Sequence, residues 1–161
     1  ANSLAESLSR IYDGKFVPLH APARVSSRNI RDELLKEDSL LPAIYLTQKL
    51  DIAVVGIGYP NEKSAIMATG YFKENEIESL IDRKVAGELC MQFYDIYGDT
   101  APYKDDNNVI GMDISMLRSV PRSIGIAGGV EKLRAVRGAI NGHYINTLIT
   151  DIECAEALIS E

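Results

Sequence analysis

One charged side chain, Lys132, has the type and the neighbours that binding or covalent chemistry would need. Lys132 ends the segment Ala127-Gly128-Gly129-Val130-Glu131-Lys132, so a flexible amine follows two glycines. A lysine supplies either a movable positive charge or a nucleophilic amine. Glu88, which follows Gly87 at the start of a predicted strand, is by residue type alone expected to be a solvated carboxylate. Lysine and glutamate are also common on solvated surfaces. Whether these two side chains form a binding site or are plain surface charges depends on the helices and strands that position them.

Residues 123–140 predict a short buried strand, a glycine turn and a helix. The strand covers residues 124–126, and Gly128 and Gly129 follow it. Apolar residues then recur at helical spacing, at Val130, Leu133, Val136 and Ile140. The first N–H groups of such a helix are unpaired and lie at the positive end of its dipole, so the turn suits an anion. A tight turn without any ligand is the alternative interpretation.

Three predicted strands end in small or turn-forming residues, and in a parallel sheet such ends lie at one edge. These ends are Leu19-His20-Ala21-Pro22, Gly56-Ile57-Gly58 and Ala127-Gly128-Gly129. Ligands of open α/β sheets bind beyond the carboxyl ends of the strands. We therefore expect one binding site at this edge, lined by Ala21, Pro22, Gly56, Gly58, Gly128 and Gly129.

The spacing of apolar residues favours one α/β domain, with a mainly parallel sheet and helices on both faces. The predicted strands cover residues 15–19, 52–58, 89–93, 107–111, 124–126 and 145–150. The predicted helices cover residues 4–11, 29–36, 39–50, 74–83, 114–117, 130–140 and 152–158. The unbroken apolar run at 52–58 indicates a central strand buried on both faces. Because a helix feeds a strand at the very start, we expect a strand that precedes this helix in the fold to be missing from this chain.

Helical spacing also predicts which side chains face the core. The expected inward residues are Ile77, Leu80 and Ile81 in one helix and Ile152, Ala155 and Leu158 in the last. Asp151 is expected to cap that last helix. Arg134 and Arg137 are expected to be surface charges.

Composition excludes several classes of function. The 161 residues are 46% hydrophobic and 25% charged, which suits one globular domain. A net charge of -6 argues against this segment binding nucleic acid on its own. No signal peptide opens the chain, and its apolar runs are too short to span a membrane.

The cysteines and histidines give no sign of metal binding. Cys90 and Cys154 are far apart and lack ligand spacing, so they predict a reducing, cytoplasmic compartment and two small buried side chains. His20 and His143 lie in predicted turns, without a second metal-binding side chain at ligand spacing. We therefore expect no metal site and no cofactor.

Six segments, taken in order, resemble the sugar-binding domain of SorC-type bacterial transcriptional regulators. This family includes the central glycolytic gene regulator and the Bacillus-type deoxyribonucleoside regulator. The segments are Leu19-His20-Ala21-Pro22-Ala23, Val54-Val55-Gly56-Ile57-Gly58, Gly70-Tyr71-Phe72, Val85-Ala86-Gly87-Glu88, Val109-Ile110-Gly111-Met112 and Ala127-Gly128-Gly129-Val130-Glu131-Lys132. Each is short, but together they extend over nearly the whole chain.

The resemblance implies a Rossmann-like fold, similar to that of sugar-phosphate isomerases, that works as a sensor and not as an enzyme. It implies a phosphorylated-sugar effector, with Lys132 at its charged or carbonyl end and Glu88 at its hydroxyl groups. A lysine Schiff base with an open-chain sugar is permitted by the same resemblance. It also implies homodimers or homotetramers, and operator DNA contacted only through a helix-turn-helix domain outside this chain. Residues 1–161 would be the C-terminal part of the effector-binding domain, without the first strand and the phosphate-binding loop.

Two other functions stay open at this point. The first is a sugar-phosphate isomerase or aldolase-like enzyme that uses Lys132 and Glu88 as base, acid or Schiff-base former. The second is a structural oligomerisation module that has lost its ligand. Turnover of an aldose phosphate would favour the first, and stable oligomers without any ligand response would favour the second.

Overall fold

A computed structural model describes residues 2–61 and 64–160 of the chain. Its helices are α1 (Asn2–Ile11), α2 (Arg28–Leu34), α3 (Leu41–Thr47), α4 (Ala65–Ala68), α5 (Glu74–Asp82), α6 (Leu133–Asn141) and α7 (Ile152–Ser160). Its strands are β1 (Ile52–Gly56), β2 (Gly87–Leu89), β3 (Gln92–Tyr94), β4 (Arg122–Ile126) and β5 (Thr147–Ile149). Three 3₁₀ helices cover Ala101–Asp106, Ile114–Ser119 and Val130–Lys132. No helix in these described ranges is long and apolar enough to cross a membrane.

The centre of the fold is a parallel sheet with the strand order β1-β4-β5. The predicted α/β class and parallel sheet are confirmed. The position of β1 differs from the prediction, because β4 is the middle strand and β1 lies at an edge of the described sheet. The strand from 124 to 126 therefore takes the central place that the apolar run of 52–58 indicated for β1.

One face of this sheet is buried in the main core. Residues paired across parallel strands point to the same face, and on this face Ala53 and Ser123 are both buried. Helix α6 packs here with Ala135, Val136 and Ala139, which are fully buried in the same core cluster. On its other side α6 lies close against β2 and β3, since a Cβ built on Gly87 would overlap Ala135 and one built on Gly138 would overlap the Tyr94 ring.

The opposite face of the sheet is apolar and open. Four side chains on this face are exposed: Ile52 (55%), Val54 (58%), Ile126 (43%) and Ile149 (53%). Register places Gly56, Ile126 and Ile149 in one row across the three strands. The helix α1 has a similar character, since Leu4, Leu8 and Ile11 share one face and are exposed.

Three predicted strands are wrong. Residues 15–19 form no strand, because they find no neighbouring strand to pair with among the described residues. The alternating segment 89–93 is not one strand but a hairpin of β2 and β3. Cys90 and Met91 form its two-residue turn, with φ angles of 53° and 60°, as a type I′ turn requires. Residues 107–111 then pair elsewhere, through a bridge between Arg24 and Val109.

The predicted helices are present, with differences in which side chains they bury. In α5, Ile77 and Leu80 are buried as predicted, but Ile81 is exposed. In α7, Cys154 is fully buried while Ile152 is 69% exposed, because the helix turns its Cys154 side toward the core.

The two arginines of α6 differ from each other. Arg134 is exposed, as expected. Arg137 is half-buried and donates from Nη2 to the carbonyl of Leu158 at 3.1 Å. Its prediction as a plain surface charge is wrong, because this hydrogen bond ties α6 to α7.

Candidate functional site

Lys132 lies between the ends of two neighbouring strands. Gly129 turns the chain after β4 with a φ of 95°, and the 3₁₀ turn Val130–Lys132 leads into α6. The side chain then crosses to β1, where Nζ donates to the carbonyl of Ile57 at 3.1 Å. The amine is therefore held at the carboxyl ends of β1 and β4, which is the edge where parallel sheets bind ligands.

Glu88 reaches the same strand end from the hairpin. Gly58 and Glu88 exchange two backbone hydrogen bonds, with N···O distances of 3.0 and 2.8 Å. The Glu88 side chain lies over Gly58 so closely that a Cβ built on Gly58 would overlap Oε1. Oε2 accepts from the Met91 N–H at 2.9 Å. Glycine at position 58 thus makes room for the carboxylate, and the hairpin turn fixes its direction.

The electrostatics of Glu88 reflect this placement. Burial raises the pKa of the Glu88 carboxyl above its usual range. The hydrogen bond from the Met91 N–H and the positive charge of Lys132 act against this rise. A carboxyl group with a raised pKa is a good hydrogen-bond partner for hydroxyl groups, and it lies within electrostatic reach of a lysine.

Cys90 is the third side chain of this region that could take part in a reaction. Burial, together with the charge of Glu88, raises the pKa of the Cys90 thiol to about 11. The thiolate is the reactive form of cysteine, so this thiol is inert at neutral pH. Cys90 thus takes the role of a small packed side chain, and Cys154 is fully buried as predicted.

The glycine turn after β4 already holds a carboxylate from this chain. The Gly129 N–H donates to Oδ2 of Asp151 at 2.5 Å, and Oδ1 of Asp151 accepts from the Cys154 N–H at 2.8 Å. The second contact is the predicted cap of α7. The first was not predicted, and it occupies one of the amides that the hypothesis of an anion at this turn requires.

The other predicted site residues are held by different contacts. Gly56 lies in the open sheet face, with nothing within 4 Å of a Cβ built there. Ala21 is half-buried and Pro22 is exposed, and the segment that follows them pairs with residues 108–110. The structure therefore brings together Lys132, Glu88, Gly58, Gly128 and Gly129, whereas Gly56, Ala21 and Pro22 belong to neighbouring surfaces.

A second polar pocket, which sequence reasoning missed, lies around Arg24. Its guanidinium is stacked 4.2 Å from the centre of the Phe72 ring and donates to Glu76 at 2.8 Å and to the carbonyl of Tyr71 at 2.6 Å. The adjoining cavity has a volume of about 490 Å³ and is also lined by Lys73. The Gly70-Tyr71-Phe72 segment was the only signal near it, and it identified no ligand-binding side chain.

The histidines and acidic residues that the structure describes form no metal site. His20 and His143 are both exposed. Within residues 2–61 and 64–160, no group of three or more His, Cys, Asp or Glu side chains is arranged to hold a metal ion.

Comparisons with known proteins match this chain to one family. Residues 1–160 match a family model described as "Putative sugar-binding domain". The sorbitol operon regulator of Klebsiella pneumoniae is 33% identical over 138 residues, which are 86% of this chain and 44% of that protein. The transcriptional regulator LsrR of Escherichia coli (strain K12) is 36% identical over 142 residues, which are 86% of this chain and 45% of LsrR.

A solved structure shows the same fold. The DeoR family transcriptional regulator from Listeria monocytogenes superposes with a TM-score of 0.90 at 25% identity, over 98% of this chain and 64% of that one. The chain thus spans a little under half of the two curated relatives and about two thirds of this solved chain.

Proposed function

The chain belongs to the sugar-binding domain family, and from this premise we propose that it senses a phosphorylated sugar within a DNA-binding transcriptional regulator. The observation that carries the proposal is the meeting of Lys132 and Glu88 at the carboxyl ends of β1 and β4. An ammonium group suits a phosphate or a carbonyl oxygen, and a carboxylate suits sugar hydroxyl groups. Glu88 and Lys132 approach this strand end from different elements, so a small polyol can be held between them.

The site acts as a sensor in this proposal, and catalysis plays no part. The relatives are named as regulators, and the cysteine nearest to Glu88 has a raised thiol pKa that makes it inert. The effector works by binding one of two arrangements of a homodimer or homotetramer more tightly than the other. The change in arrangement alters the spacing of helix-turn-helix domains outside this chain, and so the affinity for operator DNA. Such a regulator works in the bacterial cytoplasm.

The open sheet face supports a further part of the proposal, namely that residues 1–161 are the C-terminal part of a larger effector-binding domain. A parallel sheet is normally covered on both faces, whereas here Ile52, Val54 and Ile149 are more than half exposed. Relatives of the same fold extend beyond the matched region. The strand–loop unit expected from the family would bring both the missing cover and further phosphate-binding groups.

The test is a ligand screen on the full-length natural protein. Thermal unfolding is followed with a panel of pentose and hexose phosphates, and binding to operator DNA is measured with each ligand that shifts the transition. A ligand at a hundredfold excess over its Kd stabilises the folded state by about 2.7 kcal/mol. We expect Lys132→Ala to abolish this shift.

Arg134→Ala is the matched control, because Arg134 is two residues further along and exposed to solvent. Its thermal shift should equal that of the wild type. If no sugar phosphate shifts the wild-type transition or changes operator binding, the sensor function is wrong, and stable oligomers without a ligand response would favour a structural module. Turnover of any sugar phosphate by the wild type would favour an enzyme.

A further inference from the structure

The loop after β4 joins the sheet to Lys132, which directly precedes α6. Gly128 and Gly129 carry no side chains, and the turn that follows is a 3₁₀ helix of three residues. Glycine gives the backbone wide conformational freedom, so a fixed direction for Lys132 needs a contact from outside the loop. The described structure provides one from Asp151, 22 residues further along the chain.

Asp151 connects two elements with its two oxygens. Oδ1 accepts from the Cys154 N–H and caps α7, while Oδ2 accepts from the Gly129 N–H. The same Oδ2 would lie 2.8 Å from a Cβ built on Gly128, so the glycine at 128 leaves room for this oxygen. The hydrogen bonds from Cys154 and Gly129 lower the pKa of the Asp151 carboxyl, which is therefore ionised at neutral pH. An ionised acceptor makes a stronger hydrogen bond than a neutral one.

The position of Lys132 depends on this loop. The Lys132 backbone N–H donates to the Gly129 carbonyl at 3.1 Å. Gly129 is therefore hydrogen-bonded both to Asp151, through its N–H, and to Lys132, through its carbonyl. From there Nζ reaches the Ile57 carbonyl. A loop released from Asp151 would lose the anchor that aims the amine at the end of β1.

We propose that Asp151 is a positioning residue of the sugar site, which fixes the Gly128–Gly129 loop and thereby the direction of Lys132. This inference rests on the proposed function. The inference also has a consequence for where the ligand phosphate binds. The Asp151 carboxylate already accepts the hydrogen bond of the Gly129 N–H, and it places a negative charge beside the turn. The phosphate of the effector is therefore bound away from this turn, and Lys132 meets the sugar from the side of Ile57.

The test separates loop positioning from helix capping. Asp151→Ser keeps a side chain that caps α7 through the Cys154 N–H, but a serine has one short oxygen and does not also reach Gly129. Glu153→Gln is the matched control, since it removes one negative charge from the first turn of the same helix at an exposed position. Dissociation constants for the sugar phosphates of the panel, and melting temperatures without ligand, are measured in the full-length protein.

We expect Asp151→Ser to weaken sugar-phosphate binding about tenfold or more, and Glu153→Gln to bind like the wild type. A capping role alone would leave both the affinity and the melting temperature close to those of the wild type, because the serine keeps the cap of α7. The Gly129 amide gives a readout independent of the sugar: its proton NMR shift should follow the ionisation of Asp151, below the ordinary aspartate range, and this titration should vanish in Asp151→Ser.

The outcomes are distinguishable. If the wild type binds sugar phosphates and Asp151→Ser binds them equally well, the positioning role is wrong while the sensor function stands. If the Gly129 proton shift does not follow Asp151 in the wild type, the contact that carries the inference is absent and the inference is overturned. If the wild type binds none of the panel, the sensor function fails and the inference fails with it.

Discussion

The carboxyl group of Glu88 combines burial, a hydrogen bond from the Met91 N–H and a neighbouring lysine charge. Burial is the largest of these effects and raises its pKa in the folded state. At low pH both the folded and the unfolded state are protonated, so Glu88 has no effect on stability. Above the ordinary glutamate pKa of about 4.3, the unfolded state ionises first, and the free energy of unfolding falls until the folded carboxyl also ionises.

Glu88→Gln should therefore change the pH dependence of stability in a defined direction. The glutamine keeps the shape and an oxygen for the Met91 N–H, but it does not titrate. We expect the melting temperature of the wild type to fall relative to that of Glu88→Gln as the pH rises from about 4 to 7, measured on both proteins in the same buffers. A difference that stays constant over this range, or that changes in the opposite direction, would contradict the buried position of the carboxylate.

At the residue scale, the candidate site was predicted from the strand ends and from the family resemblance. Lys132, Glu88 and Gly58 were all predicted as site residues, and the structure brings them to one strand end. The second contact of Asp151 was not predictable, because it depends on how α7 and the loop after β4 are oriented in space. The same reason applies to Arg137, whose hydrogen bond to Leu158 follows from the packing of two helices and not from a local pattern.

At the scale of elements, the site depends on how the end of β1 meets the hairpin of β2 and β3. The two backbone hydrogen bonds between Gly58 and Glu88 join them side by side. A Cβ at position 58 would overlap the Glu88 carboxylate, so any other residue there would displace this side chain. Two residues earlier, Gly56 meets nothing within 4 Å of such a Cβ. Substitutions at Gly58 and Gly56 therefore test the contact between β1 and the hairpin, with Gly56 as the control.

Gly58→Ala should destabilise the protein by about 1–3 kcal/mol, because the added methyl group forces the Glu88 side chain out of place. Gly56→Ala should change the free energy of unfolding by less than about 1 kcal/mol, because its methyl group points into open space. Urea unfolding of both variants measures the difference. Equal effects at the two positions would mean that Glu88 does not lie over Gly58.

Local patterns predicted helices better than strands, for a physical reason. The helices α2, α5 and α7 have internal hydrogen bonds and local side-chain caps, such as the Ser27 hydroxyl that accepts from the Ile30 N–H. Strands need a partner that the local sequence does not specify. Residues 15–19 lack such a partner in the described structure. The alternating segment 89–93 is interrupted by a turn at Cys90 and Met91, which have positive φ angles although neither is a glycine.

At the scale of the whole molecule, the apolar pattern predicted the fold class but not which surfaces are covered. The run at 52–58 showed that β1 has two apolar faces, and the structure buries Ala53 while it leaves Ile52 and Val54 exposed. The apolar residues of one segment show that a face is suited to burial, but they do not show which other segment covers it. The open face therefore became visible only when the strands were placed side by side.

The open face leads to a prediction that compares two lengths of chain. In the 161-residue chain, Val54 is 58% exposed, so Val54→Lys should cost about 1 kcal/mol or less. In the full-length natural protein, the proposed cover would bury the lysine without a partner, at a cost of about 3 kcal/mol or more. Glu78→Lys is the control, because Glu78 is exposed on α5 and should tolerate the same side chain in both proteins.

Urea unfolding of the two variants in the two chain lengths provides the measurement. A large loss of stability for Val54→Lys that appears only in the longer protein would mean that a segment outside residues 1–161 packs on this sheet face. Such a segment would also lie beside Gly56, because Gly56 belongs to the same face. A small effect in both proteins would mean that the face stays open, and the sugar site would then consist of the strand ends, Glu88 and Lys132 alone.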